Sequence, residues 1–147
     1  MDRRFLLTLL AMIPLALSGC ASKSANDNPR SAIDNSKIGK LASSLGLTTE
    51  QAQAGVGAML KLSEMRLDPA EYSKITRVIP RATEYMALAG RLDAFQGAVP
   101  TATGLSGAFG KLGFSPDQAA KFVPEVTGYV SQAASPDVGM AFAKSLQ

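Results

Sequence analysis

The chain has 147 residues, the length of one ordinary domain, and 46% of them are apolar while 18% are charged, which excludes an intrinsically disordered chain. It has no histidine and a single cysteine, Cys20, which excludes Ser-His-Asp triads, Cys-His dyads, histidine-ligated metal centres and intramolecular disulfides. The net charge is +3, and beyond Arg3 and Arg4 the charged residues are scattered singly with no basic run, so nucleic acid is not an expected partner.

The start of the chain has the parts of a bacterial export signal. Arg3 and Arg4 form a positive n-region, and residues 5–17 form an apolar h-region. At 1.5 Å per residue this h-region spans about 20 Å, which is too short for roughly 30 Å of hydrocarbon. The pattern therefore predicts a signal peptide over residues 1–19. An uncleaved anchor or a buried core helix is the alternative.

The four residues Leu17, Ser18, Gly19 and Cys20 resemble the bacterial lipobox, in which a branched apolar residue, a small residue and Gly or Ala precede Cys. The resemblance implies recognition of Leu17, Ser18 and Gly19 by the signal peptidase and cleavage before Cys20. It also implies diacylglycerol on Cys20 and acylation of the new amino terminus by a fatty acid such as palmitate. Such a lipoprotein stays on the membrane, since each buried CH₂ contributes about 0.8 kcal/mol. Otherwise the signal is cleaved elsewhere and Cys20 is an ordinary thiol.

The residues after Cys20 indicate where the protein is held. Ala21 stands where Asp retains enterobacterial lipoproteins at the inner membrane, so the resemblance favours the periplasmic leaflet of the outer membrane. The following segment is rich in Ser, Asn and Asp and has no apolar period. We therefore predict a lipidated Cys and flexible polar tether over residues 20–35, with a reach of about 20 Å, and a helical domain over residues 36–147.

The first two predicted helices are joined by a well-marked turn. Apolar residues at helical spacing run up to Gly46, which supplies the stop, and Thr48 with Gln51 forms a capping-box pattern for the second helix. Gly55 and Gly57 weaken the second helix but allow a neighbour to approach closely.

The next two helices are predicted from their start and stop residues. Asp68 and Pro69 begin the third helix, Pro80 ends it, and the fourth covers residues 81–96. The fourth has the clearest helical period in the chain, and we expect its apolar stripe to face the core: Ala82, Tyr85, Leu88, Ala89, Leu92 and Phe95.

The segment over residues 97–113 is rich in glycine, with Gly104, Gly107, Gly110 and Gly113 spaced by three. A phosphate-binding loop is not favoured, because no strand precedes the segment and no Gly-Lys-Ser or Gly-Lys-Thr step follows it. We expect a short helix whose glycine side packs tightly or stays mobile.

The last two helices begin at Ser115-Pro116 and Ser135-Pro136. Pro124 falls inside the first of them and is expected to kink or split it. Because no segment shows sustained strand alternation, we predict an all-α bundle of about six or seven short helices with orthogonal crossings.

One turn of the chain occurs twice. Residues 45–52 and residues 112–119 both read as helix end, Gly, apolar residue, N-cap, acid, Gln and Ala. Reuse of good turn chemistry and a distant duplication are both open. These turns, with Ile79-Pro80 and the run over residues 110–124, resemble the bacterial VcgC/VcgE family of unknown function. The Gly-Phe-Ser-Pro turn is also similar to the small helical YidB-like proteins. Because that family has no established activity or catalytic residues, the resemblance carries no functional residue over to this chain.

The leading functional hypothesis is a non-enzymatic envelope lipoprotein that binds an envelope protein or has a structural role, without cofactor or metal. The alternative is a periplasm-facing carrier of a small apolar or lipid ligand, with the glycine-rich segment as a lid and adaptable methionines as contacts. Those methionines are Met59, Met65, Met86 and Met140.

Two further hypotheses have less support from the sequence. An enzyme would need a carboxylate pair or a Ser/Lys arrangement, and the glutamates show no clustering: Glu50, Glu64, Glu71, Glu84 and Glu125. Assembly of a homo-oligomer through Gly and Ala faces is the other, and the sequence leaves the oligomeric state open.

Overall fold

The computed structural model describes residues 34–95 and 101–147. These residues form seven helices and no strand, which confirms the all-α prediction: α1 Asn35–Leu45, α2 Thr49–Arg66, α3 Pro69–Arg77, α4 Ala82–Arg91, α5 Ala102–Lys111, α6 Pro116–Ala133 and α7 Pro136–Ser145. None of the described helices is long and apolar enough to cross a membrane. The predicted signal peptide and residues 20–33 of the tether lie outside the described residues. The last two residues of the predicted tether lie at the start of α1, which Asp34 caps and Asn35 begins.

Helix α2 lies at the centre of the bundle and contacts α1, α3, α4, α5 and α7. Its side chains Ala52, Val56, Met59 and Leu60 are fully buried, as the spacing predicted. Beside α2 lies a cluster of three phenylalanines, Phe109, Phe114 and Phe122, whose ring centroids are 4.9 to 5.8 Å apart. This cluster joins α5 and α6 to the core around α2.

The two glycines of α2 serve the close packing that the sequence predicted. A Cβ at Gly55 would lie 2.9 Å from Cζ of Phe114 and 3.0 Å from Cε1 of Phe122. A Cβ at Gly57 would overlap the backbone carbonyl of Tyr85 in α4. The backbone of α4 therefore lies directly against α2 at Gly57.

Helix α4 is shorter than predicted and ends at Arg91 rather than Gln96. Asp93 adopts a left-handed conformation with φ 51°, and the N–H of Ala94 donates to the carbonyl of Ala89, which closes the helix as glycine commonly does. The predicted stripe is buried up to Ala89, but Leu92 is 40% exposed because the helix has already ended there.

For two expectations about α5 and α6, the structure contradicts one of the two alternatives given. The glycine side of α5 does not pack tightly, since a Cβ at Gly107 or Gly110 would have nothing within 4 Å. Pro124 does not split α6, which runs unbroken from Pro116 to Ala133. Apolar side chains on both sides of Pro124, Phe122 and Val126, are fully buried and hold both halves of α6 on the core.

The repeated turn is part of a larger structural repeat. The starts of α2 and α6, Thr49 and Pro116, are 67 residues apart, and so are their ends, Arg66 and Ala133. The same offset relates the starts of α1 and α5 and the starts of α3 and α7. Helices α1–α3 and α5–α7 are therefore two equivalent halves, and α4 has no counterpart among the described residues.

Reciprocal hydrogen bonds join the two halves. The side chain of Gln51 accepts from the N–H of Thr48 and donates to the carbonyl of Leu112 at 2.9 Å. The side chain of Gln118 likewise accepts from the N–H of Ser115, and its Nε2 donates to the carbonyl of Leu45 at 2.7 Å. Equivalent residues that exchange equivalent contacts indicate an approximate two-fold relation between the halves. The predicted capping box at Thr48 is confirmed, and the predicted helix start at Ser115 also forms a capping box.

Candidate functional site

The described surface carries an apolar groove of about 770 Å³ between α5 and α6, which ends at the C-terminal end of α7. The residues that line it, referred to below as the groove, are Ala102, Leu105, Ser106, Phe109, Gly110, Phe114, Ser115, Pro116, Ala119, Ala120, Val123, Pro124, Thr127, Ala143, Leu146 and Gln147.

Small side chains at helical spacing form the two walls of the groove. On α6 the lining residues recur at intervals of three and four from Pro116 to Thr127, and on α5 they do so from Ala102 to Gly110. The phenylalanines Phe109 and Phe114 lie in its lining and are buried. None of the described residues that line the groove has a charged side chain. The groove therefore favours an apolar occupant.

The polar atoms of the groove are few and partly engaged already. The hydroxyl of Ser115 accepts from the N–H of Gln118, and that of Thr127 donates to the carbonyl of Pro124. Because proline has no N–H, Pro124 leaves the carbonyl of Ala120 without its helical donor. Ala120 itself lines the groove.

Comparison with protein families identifies the chain. Residues 17–147 match the family model described as protein of unknown function VcgC/VcgE (DUF2780). The chain belongs to the VcgC/VcgE family. The match begins at Leu17 and covers every described helix. No curated protein and no solved structure matches the chain.

Three glutamates of this VcgC/VcgE domain form ion pairs with a basic residue three positions away. Glu71 pairs with Lys74 at 2.6 Å within α3, and Glu64 pairs with Lys61 at 4.0 Å within α2. Glu84 pairs with Arg81, the residue that precedes α4. Glu50 and Glu125 are exposed. The described residues contain no group of three or more His, Cys, Asp or Glu side chains able to hold a metal ion.

A second concavity of about 600 Å³ lies between α3 and the turn from α6 to α7. Charged residues of both signs line it, including Glu71, Lys74, Arg77 and Asp137. Glu71 and Lys74 are paired with each other, so this surface selects neither an anion nor a cation.

Two tyrosines of the VcgC/VcgE domain are held as neutral hydrogen-bond donors. Burial, and secondarily the charge of Glu64, raises the pKa of Tyr72 to about 12. Its hydroxyl donates to the sulfur of Met86 at 3.2 Å. Burial also raises the pKa of Tyr85, whose hydroxyl donates to Oδ1 of Asn35 at 3.0 Å. Both hydroxyls join helices to each other rather than face the groove.

Most of the residues singled out from the sequence either lie outside the described residues or do not line the groove. The predicted lipidation site Cys20 and its recognition residues, Leu17, Ser18 and Gly19, lie outside the described residues. None of the four methionines lines the groove: Met59 is buried in the core, Met86 contacts Tyr72, and Met65 and Met140 are 54% and 61% exposed.

The glycine-rich segment, in contrast, supplies one wall of the groove through α5. The groove itself was missed by the sequence reasoning. Its trace in the sequence is a second stripe of small residues along α6, beside the buried stripe that contains Phe122 and Val126, and this stripe alone does not indicate a groove.

Proposed function

We propose that this protein is a non-enzymatic lipoprotein of the bacterial cell envelope, anchored through acylated Cys20 in the periplasmic leaflet of the outer membrane, whose helical domain acts by binding. The observation that carries the binding role is the apolar groove between α5 and α6. A concavity of this size that is lined mainly by apolar side chains is the usual form of a binding site.

The anchor is supported by the order of signals before the domain. A basic n-region and an apolar h-region precede Leu17-Ser18-Gly19-Cys20, and the family match includes these four residues. Between Cys20 and the cap of α1 at Asp34 lie about 13 residues, whose root-mean-square reach is about 20 Å if they form a flexible tether. A lipidated Cys20 would then hold the groove near the membrane surface.

Mass spectrometry of the mature amino terminus tests the anchor. We expect the chain to begin at Cys20 with diacylglycerol and N-acyl groups, and to fractionate with outer membranes on a density gradient. Cys20→Ser should release the protein into the soluble fraction, and Ala21→Asp should move it to inner membranes in an enterobacterial host. An unmodified Cys20, or a membrane-bound Cys20→Ser variant, contradicts the anchor.

The apolar lining also favours a second candidate function, a carrier for a small apolar or lipid ligand. The glycine-rich helix α5 forms one wall of the groove, which is the segment expected to act as a lid. Extraction and mass spectrometry of lipids from the purified protein test this role. A stoichiometric lipid that is lost in the groove variant Ala120→Glu supports it, and its absence from the wild type contradicts it.

A further inference from the structure

The first half of the fold shows what lies on the surface equivalent to the groove. Helix α4 packs along α2, where the carbonyl of Tyr85 lies against Gly57. It also reaches α1, because the hydroxyl of Tyr85 donates to Asn35, which in turn accepts from Gln53. The surface of α1 and α2 beneath this helix is called the α4 site below.

The groove lies on the positions of the second half that are equivalent, at an offset of 67 residues, to those of the α4 site. The α6 lining residues Ala119, Ala120, Val123, Pro124 and Thr127 are the counterparts of Ala52, Gln53, Val56, Gly57 and Leu60 on α2. The α5 lining residues Ala102, Leu105, Ser106, Phe109 and Gly110 are the counterparts of Asn35, Ile38, Gly39, Ala42 and Ser43 on α1. Two of these positions, Asn35 and Gly57, contact Tyr85 in the first half. Their counterparts, Ala102 and Pro124, line the groove.

The two surfaces differ in what covers them. On α2, Val56, Gly57 and Leu60 are buried, and Gly57 lies against the backbone of α4. Their counterparts on α6 are open: Val123 and Thr127 are only half-buried, and Pro124 and Ala120 are exposed. Among the described residues, the second half has no helix in the place where α4 covers the first half.

The connection into the α4 site is also matched. Ile79 and Pro80 lead from α3 into α4, and their counterparts Leu146 and Gln147 line the end of the groove at α7. The groove therefore begins at the end of α7, as the α4 site begins at the end of α3.

We propose that the groove binds an amphipathic α-helix of a partner polypeptide, in the manner in which α4 covers the first half of the fold. This inference rests on the proposed binding function and names the chemistry of the partner. The model for the partner is α4 itself, a ten-residue helix about 15 Å long. Its buried face is Ala82, Tyr85, Leu88 and Ala89, while Glu84 and Arg91 lie on its exposed side.

The residues that differ between the two surfaces define the partner helix further. Ala102 stands at the position equivalent to Asn35, so the side chain there offers no acceptor for a tyrosine hydroxyl. Pro124 replaces Gly57, so a backbone cannot approach as closely as Tyr85 approaches α2. A partner helix with leucine and alanine on its apolar face fits these changes, because leucine side chains fill the wider gap. Charges belong on its outer face, since the described lining has none.

A peptide-binding measurement tests this proposal on the full chain, purified in lipid nanodiscs without detergent. The probe is a fluorescent peptide of residues 81–95 that carries Tyr85→Leu, and the control peptide carries Leu88→Asp in addition. We expect saturable binding of the first peptide only. Two groove variants on opposite walls, Ala120→Glu and Ser106→Glu, should weaken binding about tenfold or more, because the apolar face would bury a carboxylate.

Matched control variants separate the groove from the rest of the surface. Gln132 on α6 and Thr103 on α5 are exposed and do not line the groove, so Gln132→Glu and Thr103→Glu should leave the affinity unchanged. Circular dichroism melting curves establish that all four variants fold. Equal binding to wild type and Ala120→Glu overturns the proposal, since the peptide would then lie elsewhere, for example on α2.

The remaining outcomes distinguish this proposal from the proposed function. Absence of saturable peptide binding overturns the helix as occupant. If a fluorescent fatty acid binds the groove and the peptide does not, the helix as occupant is also overturned. The proposed binding function is then unaffected. Self-association that Ala120→Glu abolishes, without peptide binding, assigns the groove to a second copy of the chain and overturns the partner helix. An unmodified Cys20 contradicts the anchor and leaves the result with the peptide unaffected.

Discussion

Replacement of Gly57 by alanine tests the close contact between α2 and α4 that defines the first half of the fold. The new Cβ would overlap the carbonyl oxygen of Tyr85 and lie 2.9 Å from the backbone nitrogen of Met86. Both atoms belong to the backbone of α4, so no side-chain rotation relieves the overlap. Helix α4 would have to move away from α2 and expose part of its buried face.

The magnitude follows from two opposed effects. Overpacking of a close-packed core costs about 1–3 kcal/mol in the free energy of unfolding. The cost of Gly57→Ala lies at or above the upper end of this range, because the atoms in its way belong to the backbone. Alanine gains about 1 kcal/mol over glycine in a helix interior. We therefore expect a net loss of about 2 kcal/mol in the free energy of unfolding, which lowers the Tm by about 5–10 °C.

Chemical denaturation followed by circular dichroism measures this loss, and Gly128→Ala is the matched control. Gly128 lies within α6, the equivalent 18-residue helix, and a Cβ there would have nothing within 4 Å. Gly128→Ala should therefore stabilise the protein by about 0.5–1 kcal/mol. A Gly57→Ala variant as stable as Gly128→Ala would refute the packing of α4 on α2 at this point.

Three further predictions concern stability. Gln118→Ala removes a capping-box acceptor and the bond to α1, and should cost about 1–2 kcal/mol in denaturant unfolding, whereas the exposed Gln132→Ala should change little. The buried hydroxyls of Ser63 and Ser145 are 2.7 Å apart, so we expect the double alanine variant to lose less than the sum of the two single losses. The pKa of Tyr72 is raised to about 12 in the folded state, so the unfolded chain loses the hydroxyl proton at a lower pH than the folded chain does. The free energy of unfolding should therefore fall as pH rises from about 10 to 12, and Tyr72→Phe should reduce that fall.

The caps of this fold were predictable because their chemistry is local. Thr48 with Gln51 and Ser115 with Gln118 satisfy N–H groups within three residues, so the sequence pattern is sufficient. The end of α4 was not predictable in this way. Asp93 adopts the left-handed conformation usually reserved for glycine, and only the packed structure reveals it.

The groove could not be predicted because it depends on which surface lacks a neighbour. In the sequence, Ala120 has the pattern of an ordinary helix-surface residue and Pro124 that of a helix breaker. Only comparison of the two halves relates them to a groove. The repeated turn was visible in the sequence, but its consequence required the position of α4 on α2. The anchor depends on Leu17 to Cys20, which the lipobox resemblance identifies without any tertiary contact.

Photo-cross-linking in the native envelope tests the binding role of the groove most directly. A benzophenone amino acid is placed at Ser106, which is exposed and lines the groove, or at Thr103, which is exposed on the same helix outside it. We predict an adduct from Ser106 alone, with the cross-linked site within an amphipathic helical segment of a polypeptide. Identical adducts from both positions, or no adduct from Ser106, would contradict binding through this groove.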